Sequence, residues 1–274
     1  DTENNGQTWV FTLRDDVTFA NATFQSDVKF NECRFQFANY TSVTIRGEAD
    51  FTAARFELDA RFTDSQWDNK ASFLETRFYG DANFSETTFE EIAVFRGAEF
   101  YGGANTKEDD LTFEGAIFNG KADFHRSKFR HANFTASKFH GEIKFNESKY
   151  EGDAEFDRCE FGDKTYFVEV RFDDDASFNR SHFSSQVSFK GTEFHGGANV
   201  LDDDAGFGDV DFSGSAIFKE CEFEYADFSG STFEKAARFD SAEFCDETTF
   251  VNSQIDGDAP FERAHFSKQA SFQE

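Results

Sequence analysis

The chain has 274 residues, with 54 Asp and Glu against 27 Lys and Arg, and with 42 Phe but no Met. No run of about 18 consecutive apolar residues marks a membrane span. A net charge of -27 argues against direct binding to nucleic-acid phosphates, because such binding depends on Lys and Arg.

Phe recurs along the chain at spacings of five and six residues, as at Phe73, Phe78 and Phe84. From Phe19 to Phe272 this period defines 45 core positions, of which 40 are Phe. The other five are also large and apolar: Tyr40, Ile45, Trp67, Tyr150 and Ile255. Two residues before each core position stands a residue that is usually small, and in 22 cases it is Ala. In an extended segment both positions face the same side, which predicts an all-β fold of short strands around stacked Phe rings. Representative core residues are Phe84, Phe134, Phe178 and Phe228.

A longer repeat of 94 residues lies over the first, so that residues 95–105 recur with few changes as 189–199. It divides a single solenoid, residues 1–274, into super-repeats 7–100, 101–194 and 195–274, of which the last is incomplete. When the steps between core positions are grouped in fours, the first and third are five residues and the second is six. Every irregular step is the fourth. This predicts four-sided coils in which length varies at one side only.

The irregular steps include three insertions, at residues 7–18, 101–112 and 195–206, and each contains adjacent acids. These candidate interaction-loop residues are Asp15, Asp16, Glu108, Asp109, Asp110, Asp202, Asp203 and Asp204. Clustered carboxylates are ligands for Ca²⁺, so Asp109 with Asp110, and Asp203 with Asp204, are candidate cation ligands. Successive loops should lie four coils apart, about 19 Å at 4.8 Å per coil, so they cannot share one ion. Solvated loops without an ion, or a periodic docking surface, are the alternatives. No other cofactor is expected.

The remaining reactive residue types do not form a recognisable catalytic motif. Cys33, Cys159 and Cys221 take the small interior position, whereas Cys245 follows Phe244 and should face outward. The six His occupy scattered outward positions, which argues against a metal cluster or a base paired with a nucleophile. Six Asn-X-Ser/Thr sequons also face outward, but the repeat itself generates that pattern. We therefore expect no enzymatic activity.

Segments such as Ala-Asn-Phe-Ser-Glu at 82–86 and Ala-Asp-Phe-Ser-Gly at 226–230 resemble the pentapeptide-repeat family. The resemblance extends over residues 19 to 274 and implies a right-handed quadrilateral β-helix (β-solenoid) of about 11 coils, roughly 53 Å long at 4.8 Å per coil. The chain departs from the common motif in using Phe instead of Leu and in having six-residue sides, which we expect to be bulged. Some members of the family resemble a DNA duplex in width and charge and bind gyrase.

Two functions follow as hypotheses. The first is a non-catalytic acidic rod, a structural, assembly or protein-binding module of a longer surface or filament protein from a salt-adapted organism. It rests on the tandem duplication, the start at Asp1 without an initiator Met, the incomplete third unit, the unprotected end and the even spread of acids along the chain. Its partner would be a protein, or a second copy bound end to end.

The alternative is a DNA mimic that inhibits or modulates a type II topoisomerase. A docking arm of a membrane protein whose span lies elsewhere is a third reading. The compartment stays open, with the cell surface favoured over the cytoplasm.

Overall fold

A computed structural model describes residues 12–13, 16–103, 110–196 and 205–272. These residues form 45 strands of two residues each, arranged as four parallel sheets with 12, 12, 11 and 10 strands. The chain visits the four sheets in turn, so each sheet is one side of a β-solenoid of about 11 coils. This is the all-β architecture predicted from the Phe period. The described residues contain no helix, and so none that could span a membrane.

The sides are numbered in the order in which the chain visits them. Side one contains Thr12–Leu13, Arg34–Phe35, Arg55–Phe56, Arg77–Phe78, Glu99–Phe100, Lys128–Phe129, Lys149–Tyr150, Arg171–Phe172, Glu193–Phe194, Glu222–Phe223, Glu243–Phe244 and His265–Phe266. Side two contains Val17–Thr18, Ala38–Asn39, Ala60–Arg61, Ala82–Asn83, Leu111–Thr112, Ala132–Asn133, Ala154–Glu155, Ala176–Ser177, Ala205–Gly206, Ala226–Asp227, Thr248–Thr249 and Ala270–Ser271.

The other two sides are slightly shorter. Side three contains Thr23–Phe24, Thr44–Ile45, Gln66–Trp67, Thr88–Phe89, Ile117–Phe118, Lys138–Phe139, Glu160–Phe161, His182–Phe183, Asp211–Phe212, Thr232–Phe233 and Gln254–Ile255. Side four contains Val28–Lys29, Ala49–Asp50, Ala71–Ser72, Ala93–Val94, Ala122–Asp123, Ile143–Lys144, Thr165–Tyr166, Val187–Ser188, Ala216–Ile217 and Ala237–Arg238. We call the passage from side one to side two the first corner, and number the second, third and fourth corners in the same direction.

The core consists of columns of aromatic rings, one column per side. Phe73 and Phe95, one coil apart on side four, have ring centroids 4.9 Å apart and planes 2° from parallel. Phe73 also meets Phe84 of side two edge-on, at 5.3 Å and 86°. Offset-stacked and edge-to-face pairs of this kind each contribute about 0.5–1.5 kcal/mol beyond the apolar area that they bury. Phe84, Phe134, Phe178 and Phe228 are all fully buried.

The small interior positions explain why Ser, Thr and Cys can replace Ala there. Thr76 donates its hydroxyl hydrogen to the carbonyl oxygen of Phe51 at 2.8 Å, and Ser127 does the same to Phe95 at 2.6 Å. The buried thiol of Cys159 points at the Phe134 carbonyl, 3.0 Å away. Each polar atom is satisfied by the backbone of an earlier coil, so it can be buried at little cost. Cys33 and Cys221 are buried as well, whereas Cys245 is exposed, as predicted.

The second and fourth corners are tight turns that place one residue in the left-handed region. At the second corner Gly115 has φ 66°, and Ala136 of the next coil has φ 58°. In all, 18 described residues other than Gly have a positive φ, among them several Glu and Arg. A left-handed conformation costs a residue with a Cβ about 1–2 kcal/mol. The turn persists because ladders fix the chain on both sides of it.

The chain enters the solenoid earlier than the sequence predicts. Residues 7–18 were expected to form an insertion, but Thr12–Leu13 pairs in parallel with Arg34–Phe35, and Val17–Thr18 pairs with Ala38–Asn39. Leu13 therefore takes the register of a core position on side one. The expectation was wrong because Leu13 does not match the Phe pattern, and the six residues from Leu13 to Phe19 form an ordinary step between sides one and two.

Candidate interaction surface at the first corner

The first corner contains every step of irregular length, as the grouping in fours predicts. Between Phe100 and Phe113, and between Phe194 and Phe207, the chain inserts extra residues there, yet the ladders on both sides keep their register. The strand pairs Ala82 with Leu111 and Ala176 with Ala205 carry the side-two ladder past the two insertions. Extra residues at the first corner therefore change the surface without changing the core.

An acidic column runs along the first corner, at the position just before each strand of side two. Its described members are Asp16, Asp59, Asp81, Asp110, Asp153, Asp175 and Glu247. The carboxylates have a structural role at this corner. The Asp81 amide donates to Asp59 Oδ1 at 3.3 Å, and the Gly103 amide donates to Asp81 Oδ1 at 2.8 Å. These N–H groups lie outside the ladders, and a short side-chain acceptor satisfies them.

His131 stands in the same column and acts in the same way. Its Nδ1 accepts the amide hydrogen of Asp153 at 3.1 Å. The third corner repeats the device, since the Glu48 amide donates to Asp27 Oδ1 at 2.9 Å. The six-residue corners thus select side chains with an acceptor near the backbone, which accounts for part of the excess of Asp.

Three carboxylates gather between the two insertions. Asp153 lies one coil before Asp174 and Asp175, and one carboxylate oxygen from each lies within 4.8 Å of the others. Oxygen clusters of this kind are the ligand type that hard cations prefer. The cation ligands predicted from the sequence lie in the insertions, and this group is not among them because its members are far apart in sequence. The adjacent acids at 173–175 were the available signal.

Asp110 ends the first large insertion and is fully buried. Neither of its carboxylate oxygens has a hydrogen-bond donor among the described residues, and Arg130 Nε lies 3.8 Å from Oδ2. Burial raises the pKa of the carboxyl, and the positive charge of Arg130 opposes that rise. A Cβ on Gly102 would lie 1.8 Å from Asp110 Oδ1, so only Gly fits beside the carboxylate. The prediction that this residue is a solvated loop acid is therefore wrong for Asp110.

The other predicted loop residues have two different outcomes. Asp16 is exposed, and it lies four coils from Asp110 along the side-two ladder. The two residues therefore cannot share an ion. Six predicted positions lie outside the described residues: Asp15, Glu108, Asp109, Asp202, Asp203 and Asp204.

Between residues 34 and 171, side one carries a mainly basic column beside the acidic corner, and beyond it the same position is Glu193, Glu222 and Glu243. Its members directly precede the core residues: Arg34, Arg55, Arg77, Lys128, Lys149 and Arg171. The positive charges are balanced locally. Glu99, in the same column, lies 3.0 Å from Arg77 Nε and 3.2 Å from Lys128 Nζ, while Asp173 Oδ2 lies 2.8 Å from Lys149 Nζ.

These observations define a repeat protein of the β-solenoid class. A family model for pentapeptide repeats (9 copies) matches residues 62–108, 113–160, 156–200 and 200–243, which is more than half of the chain. The chain belongs to the pentapeptide-repeat family. No curated protein sequence matches it.

Two solved structures are similar to the chain in length and coverage. Both are trypsin-treated variants of QnrB1, described as a plasmid-mediated fluoroquinolone resistance protein, and both are 14% identical to this chain. One alignment covers 92% of each chain with a TM-score of 0.22, and the other covers 90% of each with a TM-score of 0.23.

Proposed function

We propose that this protein is a non-catalytic acidic rod that works as a structural, assembly or protein-binding module. The observation that carries the proposal is the constant register of the ladders past both insertions. A rigid core keeps the first corner in line while its length and chemistry change. Such a surface presents side chains at fixed intervals of about 4.8 Å along the rod. Side chains repeated at fixed intervals are suited to binding and assembly.

The best candidate for catalysis has the wrong connectivity, which supports a non-catalytic role. His182 Nδ1 lies 2.8 Å from Asp211 Oδ2, and the Ser213 hydroxyl donates to Asp211 Oδ1 at 3.3 Å. In a hydrolytic triad the His lies between the acid and the nucleophile, where it takes the hydroxyl proton. Here the carboxylate lies between the other two groups, so the imidazole has no contact with the hydroxyl.

The DNA-mimic hypothesis draws on one observation, the acidic column of the first corner. Phosphates of one DNA strand repeat every 3.4 Å along the duplex axis, against about 4.8 Å for the coils. The basic column of side one adds positive charge where a mimic would present more carboxylates. These two features favour the binding-rod proposal over the mimic.

The test is the mass and shape of the particle in solution and by electron microscopy, at low salt and at several-molar salt. Filaments, or rods in multiples of roughly 50 Å, are expected for an assembly module. A lone monomer under every condition would exclude assembly and leave protein binding. Gyrase supercoiling assays with stoichiometric protein distinguish the DNA mimic from the binding rod, because a mimic lowers supercoiling whereas the rod leaves it unchanged.

A further inference from the structure

An exposed apolar ridge interrupts the acidic first corner in its N-terminal half. Leu58 is 53% exposed, Tyr79 is 37% exposed and Tyr101 is 44% exposed. The three residues come from consecutive coils at the same corner. Among the described residues, only Ile92 and Phe272 are other large apolar side chains with comparable exposure. Three exposed apolar side chains on neighbouring coils of one corner differ from the scattered single apolar residues that are normal on protein surfaces.

The ridge has a fixed geometry. The rings of Tyr79 and Tyr101 stack at 5.2 Å with planes 6° apart, and the Tyr101 hydroxyl donates to Glu99 Oε2 at 2.5 Å. Each tyrosine is followed by a glycine, Gly80 and Gly102, so no adjacent side chain covers its ring. A Cβ on Gly80 would lie 2.5 Å from the Leu58 carbonyl carbon, which excludes a larger residue there.

Phe37 extends the ridge by one coil. It is partly exposed, and the guanidinium carbon of Arg61 lies 5.2 Å from the centre of its ring. The apolar ridge is thus formed by Phe37, Leu58, Tyr79 and Tyr101. Four coils give it a length of about 14 Å from first to last residue, at 4.8 Å per coil.

The charges beside the ridge are unequal. On its side-one flank, Arg34 is paired with Glu57, and Arg77 is paired with Glu99. On its side-two flank, neither Asp59 nor Asp81 has a cationic group within 4.0 Å among the described residues. Their carboxylates accept hydrogen bonds from backbone amides. A ligand that covers the ridge therefore gains from a positive charge on the side of these two aspartates.

We propose that the apolar ridge is a docking surface for an amphipathic helix of a protein partner, with one apolar residue per turn and Lys or Arg facing Asp59 and Asp81. Helical turns repeat every 5.4 Å, so three intervals span about 16 Å against about 14 Å for the ridge. Alternate residues of a strand repeat about every 6.8 Å, and three such intervals span about 20 Å. The spacing of helical turns is therefore closer to the spacing of the coils than that of alternate strand residues.

A second copy of the chain fits this surface poorly. A stable interface buries about 800 Å² per partner, which is more than a single row of four side chains along one corner provides. A helix held by three or four anchors instead has the dimensions of a peptide-recognition site. The inference rests on the proposed function of the rod as a protein-binding module.

The test uses a synthetic helical peptide of about four turns, with Leu once per turn and Lys on one flank, and a matched peptide with Glu in place of Lys. Fluorescence anisotropy at about 0.15 M salt measures binding to the whole chain. We expect the Leu/Lys peptide to bind and the Leu/Glu peptide to fail. The double variant Tyr79→Ser/Tyr101→Ser should weaken binding by about tenfold or more, as for central anchor residues. Ile92→Ser, which removes an exposed apolar residue at the third corner, should change it less than twofold.

Asp59→Asn with Asp81→Asn should weaken binding at low salt and have little effect at about 1 M, since charge interactions are then screened. The tyrosines lie at the surface and only partly buried, so a cooperative melting curve close to that of wild type checks that the double variant is folded. Equal binding by wild type and the tyrosine variant would overturn the ridge as the binding site but leave a binding rod. Failure of both peptides would overturn the ridge as a helix site, while the mass and shape of the particle would still decide the rod proposal. A dimer in sedimentation that the tyrosine variant abolishes would also overturn the inference and assign the ridge to a second copy.

Discussion

The rings of Phe134 and Phe156 lie 4.9 Å apart and 4° from parallel, one coil apart on side two. Phe134 is fully buried, whereas Phe272 near the end of the same column is 59% exposed. Phe134→Ala should lower the free energy of unfolding by about 3–5 kcal/mol, because it leaves a cavity between two rings. Phe272→Ala should cost below about 1 kcal/mol. Urea unfolding of both variants measures the difference, and equal costs would show that Phe272 is covered in solution.

Left-handed residues at the second corner give a matched pair of substitutions. Ala136→Gly should stabilise the protein by up to about 1 kcal/mol, because Gly removes the left-handed penalty and only part of that gain is lost to chain entropy. Gly115→Ala, one coil earlier, should destabilise it by about 1–2 kcal/mol. At Gly115 a Cβ would also lie 2.7 Å from Glu86 Oε1. Thermal melts of the two variants should therefore shift in opposite directions. A shift in the same direction would mean that φ does not control stability at this corner.

Carboxylate repulsion between adjacent coils should depend on salt. Asp174→Asn keeps the oxygen that accepts the Asp175 amide at 3.2 Å but removes one charge from the group with Asp153. We expect a higher melting temperature for the variant at low salt, and no difference at about 1 M, where the Debye length is about 3 Å. Asp246→Asn is the control, since Asp246 Oδ2 lies 3.1 Å from Lys268 Nζ and should gain nothing from neutralisation. Stabilisation by both substitutions would point to net charge instead of this cluster.

The buried hydroxyl of Tyr40 should lower the free energy of unfolding, and it should lower it further at high pH. Tyr40 is fully buried against Phe62, with ring centroids 5.1 Å apart, and its hydroxyl has no hydrogen-bond partner among the residues that the structure describes. Burial raises the pKa of Tyr40 well above 10. Tyr40→Phe should stabilise the protein by about 1 kcal/mol near pH 7, because an unsatisfied buried hydroxyl is removed.

The stabilisation by Tyr40→Phe should grow above about pH 10. There the phenol ionises in the unfolded chain but not in the folded one, so wild type loses stability as pH rises whereas the variant lacks this loss. Urea unfolding at pH 7 and at about pH 11 measures both effects. A difference that stays constant with pH would show that Tyr40 ionises in the folded state.

The four thiols should react very unequally. Cys245 is exposed, while burial raises the pKa values of Cys159 and Cys221, so their thiolates are scarce. A thiol reagent should label one cysteine in the folded protein and four in urea. Labelling of Cys245 should itself be slow, since partial burial and then Glu222 raise the pKa of this thiol. Added salt should speed this labelling, and Cys245→Ser should abolish the labelling of the folded protein.

The repeat made the fold predictable because each core residue has the same environment in every coil. A period of five and six residues fixed the strands, the four sides and the corner where length varies. Leu13 escaped prediction because it lies outside the Phe pattern, although it pairs with Phe35. Glu86 and Ala136 gave no sign of their left-handed conformations, which the ladders impose on whichever residue occupies that place.

The candidate surface was harder to predict because its residues meet only across coils. Asp59 and Asp81 are 22 residues apart, and their hydrogen bond depends on the register of two corners. The ridge did leave a signal, since Phe-Tyr-Gly occurs at residues 78–80 and again at 100–102. The prediction of Asp110 as a loop acid rests on its place among adjacent acids in an insertion, whereas its burial depends on packing against Gly102.

The direction of the ladders has a mechanical consequence. All strands run across the rod, so the hydrogen bonds between coils point along its length. When the two ends of the rod are pulled apart, the four ladders between two adjacent coils share the force. The successive sets of ladders along the rod are loaded in series, so each set carries the same total force. The rod should therefore yield by peeling single coils from an end at low force, with each released coil adding about 22 residues of slack. A rod built in this way should lengthen one coil at a time under load.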